Sequence, residues 1–509
     1  MQVLLRADAS ARIGLGHLRR CLSLAQALRA RGAQCHFVCR DLGLDVAALV
    51  AAEGFGCSLL PAPAPGFQPD ADAPAHAAWA GLPQADDAAQ TIAAAAPLQP
   101  DWLVVDHYAF DQRWHRAVSA ALGCAIAAID DLADRPLQVD LLIDHNLADD
   151  HAAKYAGRLP AGTPGCTGPG HALLGPAYAG ATPCVVQEAV HSIGIFMGGT
   201  DAAGLSQQAL QACTLAGFHG PVEVAASSAF VHLAALRQAV AARPHTTLLL
   251  DQPDLAGFFG RHGLQIGAGG GATWERCCLG APTLAVAVAA NQQQALQPLA
   301  RRQVLQLVAG TADAPVPDAP AIAGALAGLL ASGALRRRLA AAARGLVDGQ
   351  GASRVAATMQ GLALTLRPAT MDDARLLLAW RNDEATRQAS HGSAPVAWPD
   401  HQRWLAAVLA DDRRQLWLAC LGGEPVGTVR ADAPAPGAPD PAQVLSWTVA
   451  PAARSRGLGV RMVRLLAARL PRPLRAEVRE GNTASVRVAW AAGLRPAGRQ
   501  GQVLHFRRS

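Results

Sequence analysis

The sequence predicts an α/β protein made of two doubly wound lobes followed by a smaller α+β domain. Over residues 1–355, short apolar segments alternate with Ala- and Leu-rich helical segments, which is typical of parallel sheets with crossover helices. The alternation lapses into Gly- and Pro-containing loops near residues 150–190. A different order of strands and helices starts at residue 365. We therefore expect two lobes at 1–180 and 185–355 and a third domain at 365–509.

The composition narrows the class of protein. The 509 residues exceed what one hydrophobic core usually supports, and 51% hydrophobic with 16% charged residues fits a well-buried globular chain. The net charge is +5, with Lys154 as the only lysine, but the arginines are scattered among acidic residues, so we expect no nucleic-acid partner. The chain reaches Arg6 before any long apolar run and has no apolar segment of about 18 residues, so neither a signal peptide nor a membrane span is expected.

The eleven cysteines include no CxxC pair, and neither a zinc site nor a disulfide framework is expected from their spacing. Reduced thiols favour a cytoplasmic location. The one Asp-x-Asp pair that we considered, residues 70–72, lies in a Pro- and Ala-rich loop, and we expect no metal site there.

The first strand leads directly to a candidate catalytic histidine. "QVLLRAD" reads as a strand, "ARIGLG" as a turn and His17 as the first turn of a helix whose apolar residues recur at helical spacing. Free backbone N–H groups and the positive end of the helix dipole lie there, which suits phosphate oxygens. The same field favours a neutral imidazole that can accept a proton. The alternative is a histidine that only caps or packs the turn.

Polar and glycine residues follow several other predicted strands. Asp106, His107 and Tyr108 follow "LVV", and Asp130 and Asp131 follow "AAI". Residues 198–201 (Gly-Gly-Thr-Asp) follow "IFM", and "GAGGGATWE" precedes a helix. Ligands of doubly wound sheets bind outside the carboxyl ends of the strands, so these residues are expected to share one edge.

Four blocks in residues 1–310, "RADASARIGLGHLRRCLSLAQAL", "VVDHYAFD", "FMGGTD" and "GAGGGATWERCCLGAPTLAVAVAANQ", together resemble the PseG family of UDP-sugar hydrolases in pseudaminic acid biosynthesis. The resemblance implies the two-lobed, Rossmann-like GT-B fold and hydrolysis of UDP-2,4-diacetamido-2,4,6-trideoxy-β-L-altropyranose by inverting attack of water. It implies that His17 is the general base and that Tyr108 positions the water or the sugar. Asp106 is either part of this machinery or a strand-end hydrogen bonder.

The same resemblance implies a UDP-sugar site that needs no metal, because helix N-termini can neutralise the departing diphosphate. Glycines would let the backbone approach the diphosphate. Glu275 would hold the ribose, and the Asn-Gln pair the nucleotide or sugar. The candidate binding residues are Gly14, Gly16, Gly199, Thr200, Gly269, Gly270, Gly271, Glu275, Asn291 and Gln292.

The third domain carries a second phosphate-binding pattern, Arg454-x-x-Gly457-x-Gly459, between a strand and a helix. Together with "EVREGNTASVRVAWAAGLRPAG", this segment resembles the GNAT acetyltransferases across residues 365–509. The resemblance implies acetyl-CoA as cosubstrate, bound by main chain near residues 449–460. The candidate residues are Val449, Arg454, Arg456, Gly457, Leu458, Gly459, Asn482 and Ser485.

One departure from the GNAT pattern concerns the proton for the departing thiolate. Many GNAT enzymes use a tyrosine, but the three tyrosines of this chain all precede residue 365. Glu477 is a candidate base for the acceptor ammonium, with a surface acid as the alternative, and His505 is a weaker candidate. Three arginines could contact CoA phosphates or form a solvated basic tail: Arg499, Arg507 and Arg508.

The expected function is that of a bifunctional enzyme, a UDP-sugar hydrolase joined to an acetyl-CoA-dependent N-acetyltransferase whose acceptor is an amino sugar, the UDP-4-amino precursor. Two alternatives stay open. The first two lobes could form a GT-B glycosyltransferase that passes the sugar to an acceptor other than water. The third domain could be a non-catalytic module that binds acyl-CoA.

Overall fold

The computed structural model describes residues 1–199, 201, 203–228, 230–287, 290–310, 316–390, 392–471 and 473–508. It contains three sheets: a seven-stranded parallel sheet in the order β3-β2-β1-β4-β5-β6-β7, a six-stranded parallel sheet in the order β10-β9-β8-β11-β12-β13, and a seven-stranded mixed sheet in the order β14-β15-β16-β17-β18-β20-β19. The expected fold class, two doubly wound lobes followed by an α+β domain, is confirmed.

The first lobe is built on strands whose residues are almost all buried, as expected where helices cover both faces of a parallel sheet. Its short, half-exposed edge strands, β3 and β7, carry little apolar periodicity and were not expected from the sequence. The elements are β1 (Gln2–Ala7), α1 (Gly16–Ala30), β2 (Gln34–Arg40), α2 (Val46–Ala52), β3 (Gly56–Leu60), α3 (Gln84–Ala95), β4 (Trp102–Asp106), α4 (Gln112–Leu122), β5 (Ala125–Ile129), β6 (Leu141–Asp144), α5 (His151–Lys154), β7 (Gly165–Thr167) and α6 (Pro176–Ala179).

The second lobe repeats the parallel arrangement with its own core. The elements are β8 (Ile193–Phe196), α7 (Leu205–Leu215), β9 (Val222–Ala226), α8 (Leu233–Ala242), β10 (Thr246–Leu250), α9 (Ala256–Arg261), β11 (Leu264–Ala268), α10 (Ala272–Cys278), β12 (Thr283–Val286), α11 (Ala290–Arg301), β13 (Gln306–Val308), α12 (Ala319–Ala331), α13 (Gly333–Arg344) and α14 (Gly351–Gly361).

Helix α14 leaves the second lobe and packs on the first. Its buried residues Val355 and Met359 belong to the same apolar cluster as Leu24 and Leu28 of α1. The sequence range 185–355 for the second lobe thus ends inside a helix that completes the core of the first lobe. Amphipathic spacing shows that a helix buries one face but does not show which sheet covers that face.

The third domain begins with antiparallel strands and then opens between two parallel ones. β17 and β18 pair only through residues 443–445 and 474–476, and the strands separate beyond that point. The elements are β14 (Leu364–Pro368), α15 (Ala374–Asn382), α16 (Glu384–Ala389), α17 (Trp398–Leu409), β15 (Arg414–Leu421), β16 (Glu424–Asp432), β17 (Gln443–Val449), α18 (Leu458–Ala467), β18 (Leu474–Arg479), α19 (Thr483–Ala491), β19 (Arg495–Gln500) and β20 (Val503–Arg508).

Among the described residues, no single helix is both long and apolar enough to cross a membrane. One pair, α12 and α13, has sufficient combined length and apolarity, but the two helices are bent by 97° at their junction.

Candidate active sites

The carboxyl ends of four adjacent strands, β1, β4, β5 and β6, bring together the polar residues of the first lobe. α1 begins at Gly16, so His17 lies in its first turn as expected, and no side chain caps this helix. The preceding turn needs glycine at Gly14, where φ is +79°. A Cβ atom at Gly14 or Gly16 would meet nothing within 4 Å, which leaves the backbone of this turn open to a ligand.

His17 is held by a buried carboxylate at the end of β4. Its Nδ1 lies 2.6 Å from Oδ1 of Asp106. Arg20, one turn further along α1, donates to both oxygens of Asp106, through Nε and Nη2, each at 2.6 Å. This two-pronged contact fixes the carboxylate in one orientation.

The charges in this group determine where the histidine proton lies. Burial alone would raise the pKa of Asp106, but the Arg20 guanidinium and His17 hold it well below its ordinary value. Asp106 is therefore a carboxylate that can only accept hydrogen bonds, and a neutral His17 donates to it from Nδ1. In the neutral imidazole, Nε2 then carries no proton and can accept one.

Tyr108, two residues beyond Asp106, reaches the same group from the other side. Its hydroxyl donates a short hydrogen bond to Oδ1 of Asp131, and its ring packs edge-on against His17 at a centroid distance of 4.9 Å. The ring centroid of Trp79 lies 5.6 Å from that of Tyr108 and 6.0 Å from that of His17. Asn146, after β6, donates to the other oxygen of Asp131 at 3.1 Å.

The intervening residue, His107, points into the core. Its Nε2 lies 3.3 Å from Oδ2 of Asp8, and its Nδ1 accepts from the backbone N–H of Ala109 at 3.2 Å. Arg6 in turn binds Asp8 with both terminal nitrogens. This buried network anchors the end of β4 from below, which fixes the positions of Asp106 and Tyr108.

Helix α10 of the second lobe lies next to residues of the first lobe. The ring of Trp274 on α10 packs edge-on against His145 of the first lobe at 6.3 Å. Burial raises the pKa of Glu275, while its hydrogen bond with Tyr178 and the charge of Arg19 on α1 act in the opposite direction. The predicted residue Glu275 thus lies within electrostatic reach of the helix that carries His17.

The glycines of the turn before α10 have different reasons for lacking a side chain. A Cβ atom at Gly269 would lie 3.0 Å from Leu296 and 3.5 Å from the Cβ atom of Gln292, so α11 packs directly on the backbone. Gly270 has φ +112°, and nothing within 4 Å would meet a Cβ atom at Gly270 or Gly271. These last two positions are open to a ligand.

The structure describes some of the other predicted binding residues and not others. Gly199 is likewise open, whereas Asp201 caps α7 by accepting from the backbone N–H groups of Leu205 and Ser206 at 2.8 and 2.9 Å. Thr200 lies outside the described residues. The backbone of Asn291 belongs to α11, but its side chain lies outside the described part of the chain.

The phosphate-binding pattern of the third domain forms the turn into α18. Gly457 precedes the helix with φ +69°, and no side chain caps the helix start. A Cβ atom at Gly459 would lie 3.0 Å from Val488 and 3.3 Å from Val449, so close packing requires glycine. The turn stands beside the opening between β17 and β18.

The arginines of this pattern have protein partners. Arg454 donates to Asp383 at 2.5 Å and to Thr386 at 2.7 Å, which ties the turn to the start of α16. Arg456 lies 3.5 Å from Oδ1 of Asp140 in the first lobe. The side-chain oxygen of Asn482 accepts from the backbone N–H of Ser485 at 3.0 Å, so this predicted cofactor residue also caps α19.

The first turns of α18 rest against the end of α4 in the first lobe. Arg464 donates to the carbonyl of Leu122, and a Cβ atom at Gly123 would lie 2.3 Å from Val460. A Cβ atom at Gly457 would lie 3.3 Å from the Ser119 hydroxyl. The predicted acetyl-CoA turn therefore borders the first lobe.

Glu477 and His505 face each other in the pairing of β18 with β20, with Oε1 and Nδ1 4.0 Å apart. Arg475 is 3.6 Å from the same carboxylate. The basic residues near the C-terminus contact protein groups: Arg499 pairs with Glu480, Arg507 with Asp440, and Arg508 donates to the carbonyl of Ala492.

Within the described ranges, no group of three or more His, Cys, Asp or Glu side chains is arranged to hold a metal ion. The residues that sequence reasoning missed are Arg20 and Asn146, and Asp131 was expected at this strand edge without a role. Arg20 follows His17 by three residues, which places both on one face of a helix, and this spacing was an available signal.

Fold and site define the class of this chain: two doubly wound α/β lobes with a His–Asp pair at the strand ends of the first, joined to a mixed α/β domain with a glycine turn at the start of α18. The family described as "Acetyltransferase (GNAT) domain" matches residues 363–495, and this C-terminal unit is a GNAT domain. No curated protein matches the chain.

Several solved structures are similar to parts of the chain. The aminoglycoside acetyltransferase AAC(6')-Ib in complex with coenzyme A is 22% identical, over 29% of this chain and 94% of its own, with a TM-score of 0.27. An acetyltransferase from Thermus thermophilus is 28% identical, over 28% of this chain and 96% of its own, with a TM-score of 0.26. MurG from Acinetobacter baumannii is 13% identical, over 70% of this chain and 99% of its own, with a TM-score of 0.49.

Proposed function

We propose that the first two lobes hydrolyse a UDP-sugar and that the GNAT domain acetylates an amino sugar. The observation that carries the hydrolase proposal is the His17–Asp106 pair, which holds the imidazole through Nδ1 in the first turn of α1, next to the open glycine turn. A base oriented by a buried carboxylate and placed beside a phosphate-binding helix start is suited to deprotonating water next to a diphosphate.

The reaction would need few groups. Water attacks the anomeric carbon, its proton passes to Nε2 of His17, and the bond to the UDP oxygen breaks with inversion. The uncapped start of α1 and the open turn at Gly270 and Gly271 would stabilise the charge that develops on UDP. The GT-B alternative shares this site and differs only in the acceptor.

For the GNAT domain, acetyl-CoA would lie in the opening between β17 and β18 with its pyrophosphate at the turn before α18. The acceptor amine attacks the acetyl carbonyl and the carbon–sulfur bond breaks. Glu477, which faces His505, would take the ammonium proton. Because the domain has no tyrosine, water or another group must protonate the thiolate.

The specific substrates follow from the resemblance to the PseG family. The hydrolase substrate would be UDP-2,4-diacetamido-2,4,6-trideoxy-β-L-altropyranose, and the acetyl acceptor its UDP-4-amino precursor. One chain would then perform consecutive steps, acetylation first and hydrolysis second.

A coupled assay tests both activities. The purified full-length chain is incubated with the UDP-4-amino sugar, with and without acetyl-CoA, and separately with the pre-acetylated UDP-sugar, and UDP and sugars are followed by mass spectrometry. Diacetylated free sugar that forms only with acetyl-CoA supports both proposals. Cleavage of only the pre-acetylated UDP-sugar supports hydrolysis and contradicts the proposed acceptor.

A further inference from the structure

We propose that Asp131 is a positioning residue that makes the Tyr108 hydroxyl a hydrogen-bond acceptor, and that Tyr108 and His17 together select water over alcohols as the nucleophile. The inference rests on the proposed UDP-sugar hydrolysis and concerns the choice of acceptor.

The proton of Tyr108 is committed to Asp131. The hydroxyl donates to Oδ1, while Oδ2 accepts from Asn146 and lies 3.8 Å from Nη1 of Arg20. Burial alone would raise the pKa of Asp131, but the charge of Arg20 and the bond from Tyr108 lower it. Asp131 is thus charged and can only accept, so Tyr108 has no proton to offer a ligand.

The oxygen of Tyr108 can still accept. Nη2 of Arg20 approaches it at 3.4 Å, and one hydroxyl oxygen has two lone pairs. Burial and the neighbouring Asp131 raise the pKa of Tyr108 well above its ordinary value, so the phenol stays neutral and its proton stays in the bond to Asp131.

His17 supplies the second acceptor. Its Nδ1 faces Asp106, and its ring is 4.9 Å from that of Tyr108. A water molecule has two O–H bonds and can donate one to Nε2 of His17 and one to the Tyr108 oxygen. An alcohol has one O–H bond, so it leaves either Nε2 of His17 without a donor or the Tyr108 oxygen with the bond from Arg20 alone, and its alkyl group must also fit beside Trp79.

The chemical step is balanced on these groups. The water oxygen forms a bond to the anomeric carbon while the carbon–oxygen bond to UDP breaks and its electron pair leaves with UDP. One water proton passes to Nε2 of His17. The other stays directed at Tyr108 and becomes the proton of the new sugar hydroxyl.

Methanol competition tests the proposal on the full-length protein. The UDP-sugar is turned over at one fixed methanol concentration, and the ratio of methyl glycoside to free sugar is measured by mass spectrometry. We expect wild type to give the lowest ratio, and Tyr108→Phe to raise it about threefold or more, because one acceptor is lost. Asp131→Ala frees the phenol proton for donation to an alcohol oxygen and should raise the ratio similarly.

The double variant separates a positioning role from an independent one. If Asp131 acts through Tyr108, the Tyr108→Phe/Asp131→Ala chain gives the ratio of Tyr108→Phe alone. Asp134→Asn is the matched control, since this carboxylate lies in the same loop and pairs with Arg135. Its ratio should equal that of wild type.

Two outcomes overturn the inference. If wild type hydrolyses the UDP-sugar but Tyr108→Phe leaves the ratio unchanged, water selection by this pair is wrong and the proposed hydrolysis stands; this holds even if Asp131→Ala does not fold. If wild type releases no free sugar, the proposed hydrolysis and the inference both fail.

Discussion

Nδ1 of His17 and Oδ1 of Asp106 lie 2.6 Å apart although 88 residues separate them in the chain. The parallel sheet accounts for the meeting, because β1 and β4 are neighbours and both end at the same edge. The pair orients the imidazole by holding Nδ1 towards the carboxylate, so Nε2 lies on the opposite edge of the ring.

His17→Asn should lower the kcat of UDP release by about 10²–10⁴-fold, to the limit of detection, because the general base is lost. UDP affinity should change little, since the phosphate would bind backbone groups. Turnover by mass spectrometry and UDP binding by calorimetry check both parts. His36→Asn, at a half-buried histidine that contacts Ser58, is the control, and retained turnover in His17→Asn would refute the base assignment.

Asp106→Asn should lower kcat by about 10²–10⁴-fold with a smaller effect on KM, because an amide can donate to Nδ1 and shift the imidazole proton to Nε2. The size of the change in steady-state kinetics is the measurement. Asp45→Asn preserves the cap of the remote helix α2 and should leave kcat unchanged. A fully active Asp106→Asn chain would reduce Asp106 to a strand-end hydrogen bonder.

The free energy of unfolding should fall as pH drops from 7 to 4.5. Burial lowers the pKa of His115 to about 3 and that of His145 to about 4, so each stays neutral in the fold while its unfolded counterpart takes a proton below about 6.5. The stabilisation from these neutral histidines is therefore complete above about pH 6.5, and it is lost as the pH falls towards their pKa values in the folded protein.

His115→Asn is the test of this pH dependence. Its side-chain oxygen can replace Nδ1 of His115 as acceptor for the backbone N–H of Gln138. The decline between pH 7 and 4.5, measured by urea unfolding, should shrink by about 2 kcal/mol. An unchanged decline would show that folding does not lower the pKa of the His115 ring.

Gly123→Ala should disturb the contact between the first lobe and α18. The substitution imposes a strained φ of +62°, which costs about 1 kcal/mol, and its Cβ atom would press on Val460. Gly32→Ala has a similar φ but open space, so it isolates the conformational cost. The midpoint temperature of thermal unfolding should fall further for Gly123→Ala than for Gly32→Ala. Equal decreases in the two variants would argue against the packed contact.

Glu477→Gln should lower the kcat of acetyl transfer by about 10²-fold and leave the Kd of acetyl-CoA unchanged, because the amide cannot take the ammonium proton. A thiol-release assay gives kcat and calorimetry gives the Kd. Glu480→Gln, at the carboxylate that pairs with Arg499, is the control. Equal activity in the two variants would show that Glu477 is a surface acid and not the base.

The sequence was sufficient for the fold class and for the buried central strands of the first lobe, because burial leaves a local pattern of apolar runs of strand length separated by helical spacing, but not for the half-exposed edge strands β3 and β7. The sequence was also sufficient to place His17 in the first turn of a helix, because a glycine turn and a helix start are local features. The partner of Tyr108 was not predictable in this way. Asp130 and Asp131 are adjacent, and only the loop geometry determines that Asp131 receives the phenol while Asp130 pairs with Arg135.

The arginines of the GNAT turn show the same limit. The pattern predicts a phosphate-binding turn, but Arg454 reaches Asp383, which is 71 residues away, and Arg456 reaches a carboxylate of another lobe. Such pairs depend on how elements are arranged in space. Their formation leaves no periodicity in the sequence.

The return of α14 to the first lobe has a consequence for biosynthesis. Val355 and Met359 fill the core beside α1, yet they are translated after the whole second lobe. Helix α1, which is made early, must wait for about 350 residues of chain before its face towards α14 is covered, so the early part of the nascent chain depends on late-made residues to finish folding.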